Sequence, residues 1–172
     1  MQSNEKNSAL GCELAQREII AAKAIRHTGI VVSDMSKSVL FYRDLLGLKV
    51  WADFVDDSKT IQTITGVSGA KVRMVKLKAA DGVSIELLQY LSHPQEPQAH
   101  PAFRIGCNHI GIQLDDIDAF YKDAKAQGVH FHSPPVISAD GVGKMTYCRD
   151  PDGNIVEFVQ LFKAIEGDPK SR

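Results

Sequence analysis

Four residues in this chain have side chains that divalent metal ions take as ligands, and each interrupts an apolar run: His27, Glu86, His109 and Glu157. Glu157 is the sharpest case, set among Ile155, Val156, Phe158 and Val159 directly after an Asp150-Pro151-Asp152-Gly153 turn. Burying a bare carboxylate costs several kcal/mol unless it is paired or bound to a metal. Two neutral imidazoles and two carboxylates suit one divalent ion per site of the Ni, Co, Zn, Mn or Fe type, which would also neutralise both acids. Taken singly, a histidine in a strand is ordinarily a satisfied structural residue, and a glutamate there points to solvent. Duplication is what moves the reading to a metal site.

The chain repeats itself. His27-Thr28-Gly29-Ile30 matches His109-Ile110-Gly111-Ile112 at an offset of 82, Phe41-Tyr42 matches Phe120-Tyr121, and Gly47 matches Gly128. Further on, Asp81-Gly82 matches Asp152-Gly153, Glu86 matches Glu157 and Gln89 matches Gln160, all at an offset of 71. Each half therefore carries one His in its first strand and one Glu in its last, with an 11-residue difference between them. If the halves pack with approximate twofold symmetry, the four side chains can converge on one point.

The elements that must hold these residues follow from periodicity and turn chemistry. Ile25–Val32 reads as a strand. A helix capped by Ser33 or Asp34 follows, with Met35, Val39, Tyr42 and Leu46 on one face and Gly47 as its stop. Lys49–Val55, Val72–Leu77 and Val83–Tyr90 read as strands, the last two joined at Asp81-Gly82. The second half gives a strand over Asn108–Leu114 and a helix capped by Asp116 or Asp115 that ends at Gly128. Strands over Val129–His132, Lys144–Cys148 and Asn154–Leu161 complete it. The predicted organisation is an N-terminal helical extension over 1–23 and a domain over 24–162, followed by a polar tail over 163–172. Within the domain, module one covers 24–91, a linker with Pro94, Pro97 and Pro101 covers 92–106, and module two covers 107–162.

Composition bounds the function without naming it. A formal net charge of −1 over 172 residues, with both signs interspersed, gives no case for nucleic acid or an anionic membrane. No apolar run approaches the ~18 residues of a spanning helix, and the polar start from Met1 to Ser8 lacks a signal-peptide core. Three scattered cysteines, Cys12, Cys107 and Cys148, form neither a disulfide framework nor a thiolate zinc site, so the expected compartment is the cytoplasm. Elsewhere, His130 and His132 alternate on one face of a short strand, and His93 and His100 lie in the linker. Solvated edge and loop positions are the simpler reading for all four. Trp51, Phe54, Met74 and Phe103 are candidates to line a pocket or pack in the core.

With these residues in view, the layout resembles the vicinal oxygen chelate superfamily, which includes glyoxalase I, methylmalonyl-CoA epimerase, extradiol dioxygenases and bleomycin-resistance proteins. The resemblance is carried by His27–Val32, Ser38–Leu48, Ile85–Leu88, Asn108–Ile112 and Asp150–Phe158. It implies an α+β fold of two tandem βαβββ modules forming a curved sheet around a metal-centred cleft. It also implies a substrate with vicinal oxygens and a likeness to lactoylglutathione lyase, with proton transfer through a metal-stabilised enediolate. Carried over, the metal set is His27, Glu86, His109 and Glu157, with Glu157 as the first choice of base and Glu86 as its near-symmetric partner. Val31 stands where glyoxalase I-like sequences carry an arginine for the glutathione carboxylate, and Glu86 stands where epimerases carry glutamine. An Fe(II) extradiol-type dioxygenase using His27, His109 and Glu157 is the redox alternative, and a methylmalonyl-CoA epimerase-like isomerase is another. A non-catalytic binder is disfavoured, because such relatives generally lack the ligands. A homodimer is expected, with the site formed either within one chain or between two.

Overall fold

The computed structural model describes residues 22–168, so the helix expected over 1–23 and the end of the tail lie outside the described residues. Module one runs β1 (Thr28–Val31), α1 (Met35–Val39, continued by a π-helical turn over Leu40–Leu45), β2 (Lys49–Asp56), α2 (Lys59–Thr65), β3 (Val72–Lys78) and β4 (Ser84–Tyr90). Module two runs β5 (His109–Gln113), α3 (Ile117–Ala126), β6 (Val136–Ile137), β7 (Gly143–Arg149) and β8 (Ile155–Leu161). The strands form two four-stranded mixed sheets of the same topology, β1-β4-β3-β2 and β5-β8-β7-β6. In each, the first strand pairs parallel to the last and the rest run antiparallel. No helix among the described residues is long and apolar enough to cross a membrane.

The two crossovers start alike because the same residue type sits at the same place. Asp34 accepts hydrogen bonds from the backbone N–H groups of Ser36 and Lys37, and Asp116 accepts from those of Asp118 and Ala119. Gln89 and Gln160, paired in the repeat, both reach from the last strand to a helix start. Gln89 donates to the Ser33 carbonyl at 2.8 Å, and Gln160 accepts from the Ile117 N–H at 3.1 Å. Each turn opening onto the last strand is a tight one whose glycine has positive φ, 88° at Gly82 and 89° at Gly153.

Strand alternation then divides each sheet into two faces. Ile30, Leu77, Ile85 and Leu87 of module one meet Ile117, Cys148, Val156 and Phe158 of module two in one continuous core beneath the helices. A fully buried side chain of this size contributes about 1.5–3 kcal/mol. Burial pushes the Cys148 thiol up to about 12, with the Asp150 charge adding to it. The modules are also joined by polar bonds at the turn before β8. Asp150 accepts from the Tyr42 hydroxyl at 2.8 Å, and Asp152 accepts from the Ser33 N–H at 2.9 Å and the Ser38 hydroxyl at 3.3 Å. Desolvation first, and the Asp150 charge second, raise the Tyr42 phenol far above its ordinary pKa.

Two elements differ from the sequence expectation. The excess residues of module one form α2, capped at its start by the Ser58 hydroxyl and at its end by Gly66 in the left-handed region. This helix covers one end of the sheet, where Ile61 packs with Ala70, Val72 and Met74. The strand expected over Val129–His132 reduces to a single bridge, Phe131 to Cys148, with β6 starting only at Val136. Pro134 and Pro135 lie between them and have no N–H with which to continue the ladder.

Candidate metal centre

The faces opposite the core carry the four candidate ligands, in matched register. Gly29 lies beside Glu86 across the parallel β1/β4 pair, and Gly111 lies beside Glu157 across β5/β8. In each module the histidine stands two residues before that glycine, on the same face of the strand. At Gly111 the missing side chain leaves room for the Glu157 carboxylate to lie across the strand toward His109. A Cβ built on Gly111 would stand 3.4 Å from Oε2 of Glu157. The outcome is two near-identical pairs: His27 Nε2 to Glu86 Oε2 at 3.2 Å, and His109 Nε2 to Glu157 Oε2 at 3.4 Å. Both imidazoles are 37% exposed, while the Glu86 and Glu157 side chains are 12% and 19% exposed.

That spacing fits a metal. Two donors bound side by side to one ion through bonds of about 2.1 Å stand about 3.0–3.4 Å apart. Each pair therefore presents two potential donors at the separation one ion would need. The structure brings His27 to Glu86 and His109 to Glu157, but it does not bring the pairs together. Among the described residues, no group of three or more His, Cys, Asp or Glu side chains is placed to hold an ion.

What flanks each pair differs. Across the antiparallel β3/β4 ladder Glu86 faces Lys76, whose Nζ is 2.8 Å from Oε1; across β7/β8 Glu157 faces Tyr147. Partial burial, then the charge of Glu157 and a hydrogen bond to it, raises the Tyr147 phenol above its ordinary pKa. The β2/β3 ladder slips between Val50 and Ala52, and Trp51 bulges there, with Lys76 at 5.6 Å and Lys78 at 5.7 Å from its ring. In module two the Phe131–Cys148 bridge stands where Val50 pairs with Leu77, so His132 occupies the place of Trp51, its ring 6.3 Å from that of Tyr147. Of the other candidates, His93 bonds Ser92 at 2.9 Å and His100 lines a cavity of about 380 Å³ beside the linker. Met74 is buried, Phe54 is paired with it in register, and Phe103 is exposed.

Sequence reasoning missed Lys76 and Tyr147 as site residues, although a signal was there. A hairpin closed at Asp81-Gly82 or Asp152-Gly153 pairs residues reflected through its aspartate. Reflecting Glu86 and Glu157 in this way lands on Lys76 and Tyr147.

Comparison with known proteins gives a consistent picture. Residues 24–158 match the family described as Glyoxalase/Bleomycin resistance protein/Dioxygenase superfamily. An uncharacterized Bacillus subtilis (strain 168) protein, YwbC, is 32% identical over 81% of this chain and 98% of its own. A lactoylglutathione lyase of Pseudomonas putida is 27% identical over 93% of this chain and 98% of its own. A 2-epi-5-epi-valiolone epimerase from Actinomyces sp is 25% identical over 84% and 83% respectively. Among solved structures, a glyoxalase family protein from Bacillus cereus superposes with a TM-score of 0.74 at 18% identity, over 86% of this chain and 97% of that one.

Proposed function

The chain belongs to the glyoxalase/bleomycin resistance protein/dioxygenase superfamily, and from that premise we propose that it is a divalent-metal-dependent lyase or isomerase of small molecules with vicinal oxygens. His27, Glu86, His109 and Glu157 would hold the ion, in a site assembled from module one of one copy and module two of a second. One observation carries the reading: the Gly-flanked His/Glu pair occurs twice in identical register, at metal-ligand spacing both times. Both halves keep a carboxylate, which supports the four-ligand reading over a three-ligand iron site with open positions for oxygen. Relatives named as a lyase and an epimerase agree with proton transfer as the shared chemistry.

When bound, the ion supplies Lewis acidity toward a substrate oxygen. The chain's own residues supply position and proton movement. His27 and His109 offer imidazole nitrogens, and their paired carboxylates restrict the rotation of each ring. Glu157 serves as the base, taking the proton from the carbon beside the polarised oxygen and returning it to the neighbouring carbon. Its neighbour supports that role. A phenol donates and accepts, so Tyr147, which faces Glu157 across the ladder, can offer it a partner in either protonation state. The ammonium of Lys76 is a fixed positive charge, so a proton arriving on Glu86 would cost that side chain the ionic part of its 2.8 Å contact. Glu86 is thus suited to remain a fixed ligand.

A mixing experiment tests the site and its assembly together. His27→Ala and His109→Ala variants, each measured alone by equilibrium dialysis against Co(II), should bind poorly. Unfolded together and refolded as a mixture, they should recover about one site per mixed dimer, because one interface then receives two intact halves. Wild-type protein without affinity for Co, Ni, Zn or Mn would sink the metal reading. Wild-type binding without recovery on mixing would place the site within one chain.

A further inference from the structure

The recess beside the module-one pair has a charge that the ligand set does not explain. About 250 Å³ in volume, it is lined by Arg26, Lys76 and Lys78 as well as His27, Trp51 and Glu86, and Glu86 is the one acid among its described lining residues. Lys76 and Lys78 alternate onto the same face of β3, and both ammonium groups lie over the Trp51 ring. An aromatic face favours a cation, though by only about 0.5–1 kcal/mol at exposed positions. Three cations against one carboxylate leave an excess of positive charge in a partly walled recess. The bulge falls at Trp51, which lines this recess.

Module two shows that the repeat does not require this charge. Its counterpart of Lys76 is the neutral Tyr147, and that of Arg26 is Asn108. Arg149, at the place of Lys78, is committed to backbone carbonyls, donating to Gly153 at 2.6 Å and to His100 at 2.8 Å. Only module one presents the cations to open space.

We propose that Arg26, Lys76 and Lys78, gathered at Trp51, form an anion-binding subsite, so that the substrate carries a carboxylate or phosphate group on the module-one side of its reacting oxygens. Identifying the anion as part of the substrate rests on the metal-site reading above; the binding of an anion there does not. Arg26 offers a planar fork for two oxygens, and Lys78 offers a point charge across from it. Lys76 bridges the anion to Glu86 and so ties the position of the substrate to that of the ligand. A neutral substrate would leave these charges uncompensated when it displaced the water in the recess.

Trp51 is the chain's one tryptophan and therefore reports directly on the recess. Full-length protein, freed of metal with a chelator, is titrated with sodium phosphate or sodium succinate at constant ionic strength, with chloride as the balancing anion. Saturable change in Trp51 emission is expected with at least one of the two. The tighter of them distinguishes a phosphate group from a carboxylate. R26Q and K78Q should each weaken that binding at least tenfold, while K78R should stay within about threefold of wild type. Emission that changes no more with phosphate or succinate than with chloride overturns the proposal, as does a folded K78Q/R26Q double variant that binds like wild type. Co(II) uptake on parallel samples keeps the two readings apart. Anion binding without Co(II) uptake removes the metal site alone, and Co(II) uptake without anion binding removes the subsite alone.

Discussion

Modules one and two keep the same His/Glu pair at the same register and surround it differently. In module one the carboxylate is bridged to Lys76 beneath Trp51; in module two it faces Tyr147 beside His132. Module one also carries α2 where module two makes a short turn between β6 and β7. A duplicated unit can hold one ion with both halves only if both keep their ligands, so the pair is the part with no freedom to change. The cross-strand neighbours are free to diverge. On the proposed function, module one would hold substrate charge and module two would move the proton.

The largest effect should come from treating the two carboxylates alike. With metal saturating, Glu157→Gln is expected to lower kcat for the proposed proton transfer, assayed first as hemithioacetal isomerisation, by about 10³-fold, within the range of losing a positioned base. Glu86→Gln should mainly weaken Co(II) binding, by at least the roughly 10–100-fold that loss of an outer-shell partner costs, with most of the kcat recovered at high metal. Circular dichroism should show both variants folded. Equal kcat losses at saturating metal would erase the distinction between the modules.

Next in size is the turn that joins them. Module two has Asp150 where module one has Ala79. Asp150 is buried and accepts hydrogen bonds from the Tyr42 hydroxyl, the Asn154 amide and the N–H groups of Asp152 and Asn154. Asp150→Ala, which restores the module-one residue, should cost about 2–4 kcal/mol in urea unfolding, because it leaves buried donors unpaired. Tyr42→Phe removes one of those donors and should cost about 1–2 kcal/mol. The Tyr42 phenol is held neutral in the fold, so the unfolded chain ionises first, near its ordinary value of 10.0. This contribution is full below that pH and is lost as pH rises above it. The wild-type protein should therefore lose stability above about pH 10 more steeply than Tyr42→Phe.

These two predictions also mark how far the sequence could be read. The repeat was legible because ligands, Asp-Gly turns and helix-stopping glycines recur at fixed offsets, and it placed β1, β3, β4, β5, β7, β8, α1 and α3 to within a few residues. The 11-residue difference was visible, whereas its fold as α2 was not, although Ser58 and Gly66 are the cap residues such a helix needs. Pro134-Pro135 could have warned that the strand through Phe131 ends early. Asp150 and Asp152 were legible only as turn residues. Their partners Tyr42, Ser38 and Ser33 lie more than a hundred positions away, and no local pattern encodes that contact. The same holds for the separation of the two His/Glu pairs, which follows from how the sheets pack.

A smaller effect should separate the cross-strand neighbours. Tyr147→Phe removes the hydroxyl that can partner Glu157 across the ladder in either protonation state. It should lower kcat about tenfold, the order of one modest hydrogen bond, while leaving Co(II) affinity within about twofold. Lys76→Met removes a charge from the recess and should act on KM instead, with kcat changed less than threefold. If both variants move the same parameter, Lys76 and Tyr147 are equivalent supports and the modules have not specialised.

The smallest effect tests the pair itself. Neither Gly29 nor Gly111 has a positive φ, so alanine fits the backbone at both, and reduced unfolded-state entropy favours it by about 0.4–1 kcal/mol. The added methyl meets different atoms. At Gly111 it would touch Oε2 of Glu157 at 3.4 Å, whereas at Gly29 it would press on Cδ1 of Leu88 at 3.3 Å. Gly111→Ala should therefore leave the melting temperature nearly unchanged and weaken Co(II) binding only about twofold, by placing a methyl in van der Waals contact with the carboxylate. Gly29→Ala should spare Co(II) binding, because a leucine methyl can give way without moving Glu86. Equal losses of Co(II) affinity in the two variants would mean that both glycines serve the carboxylate alike, and that the modules differ only in what lies across the strand.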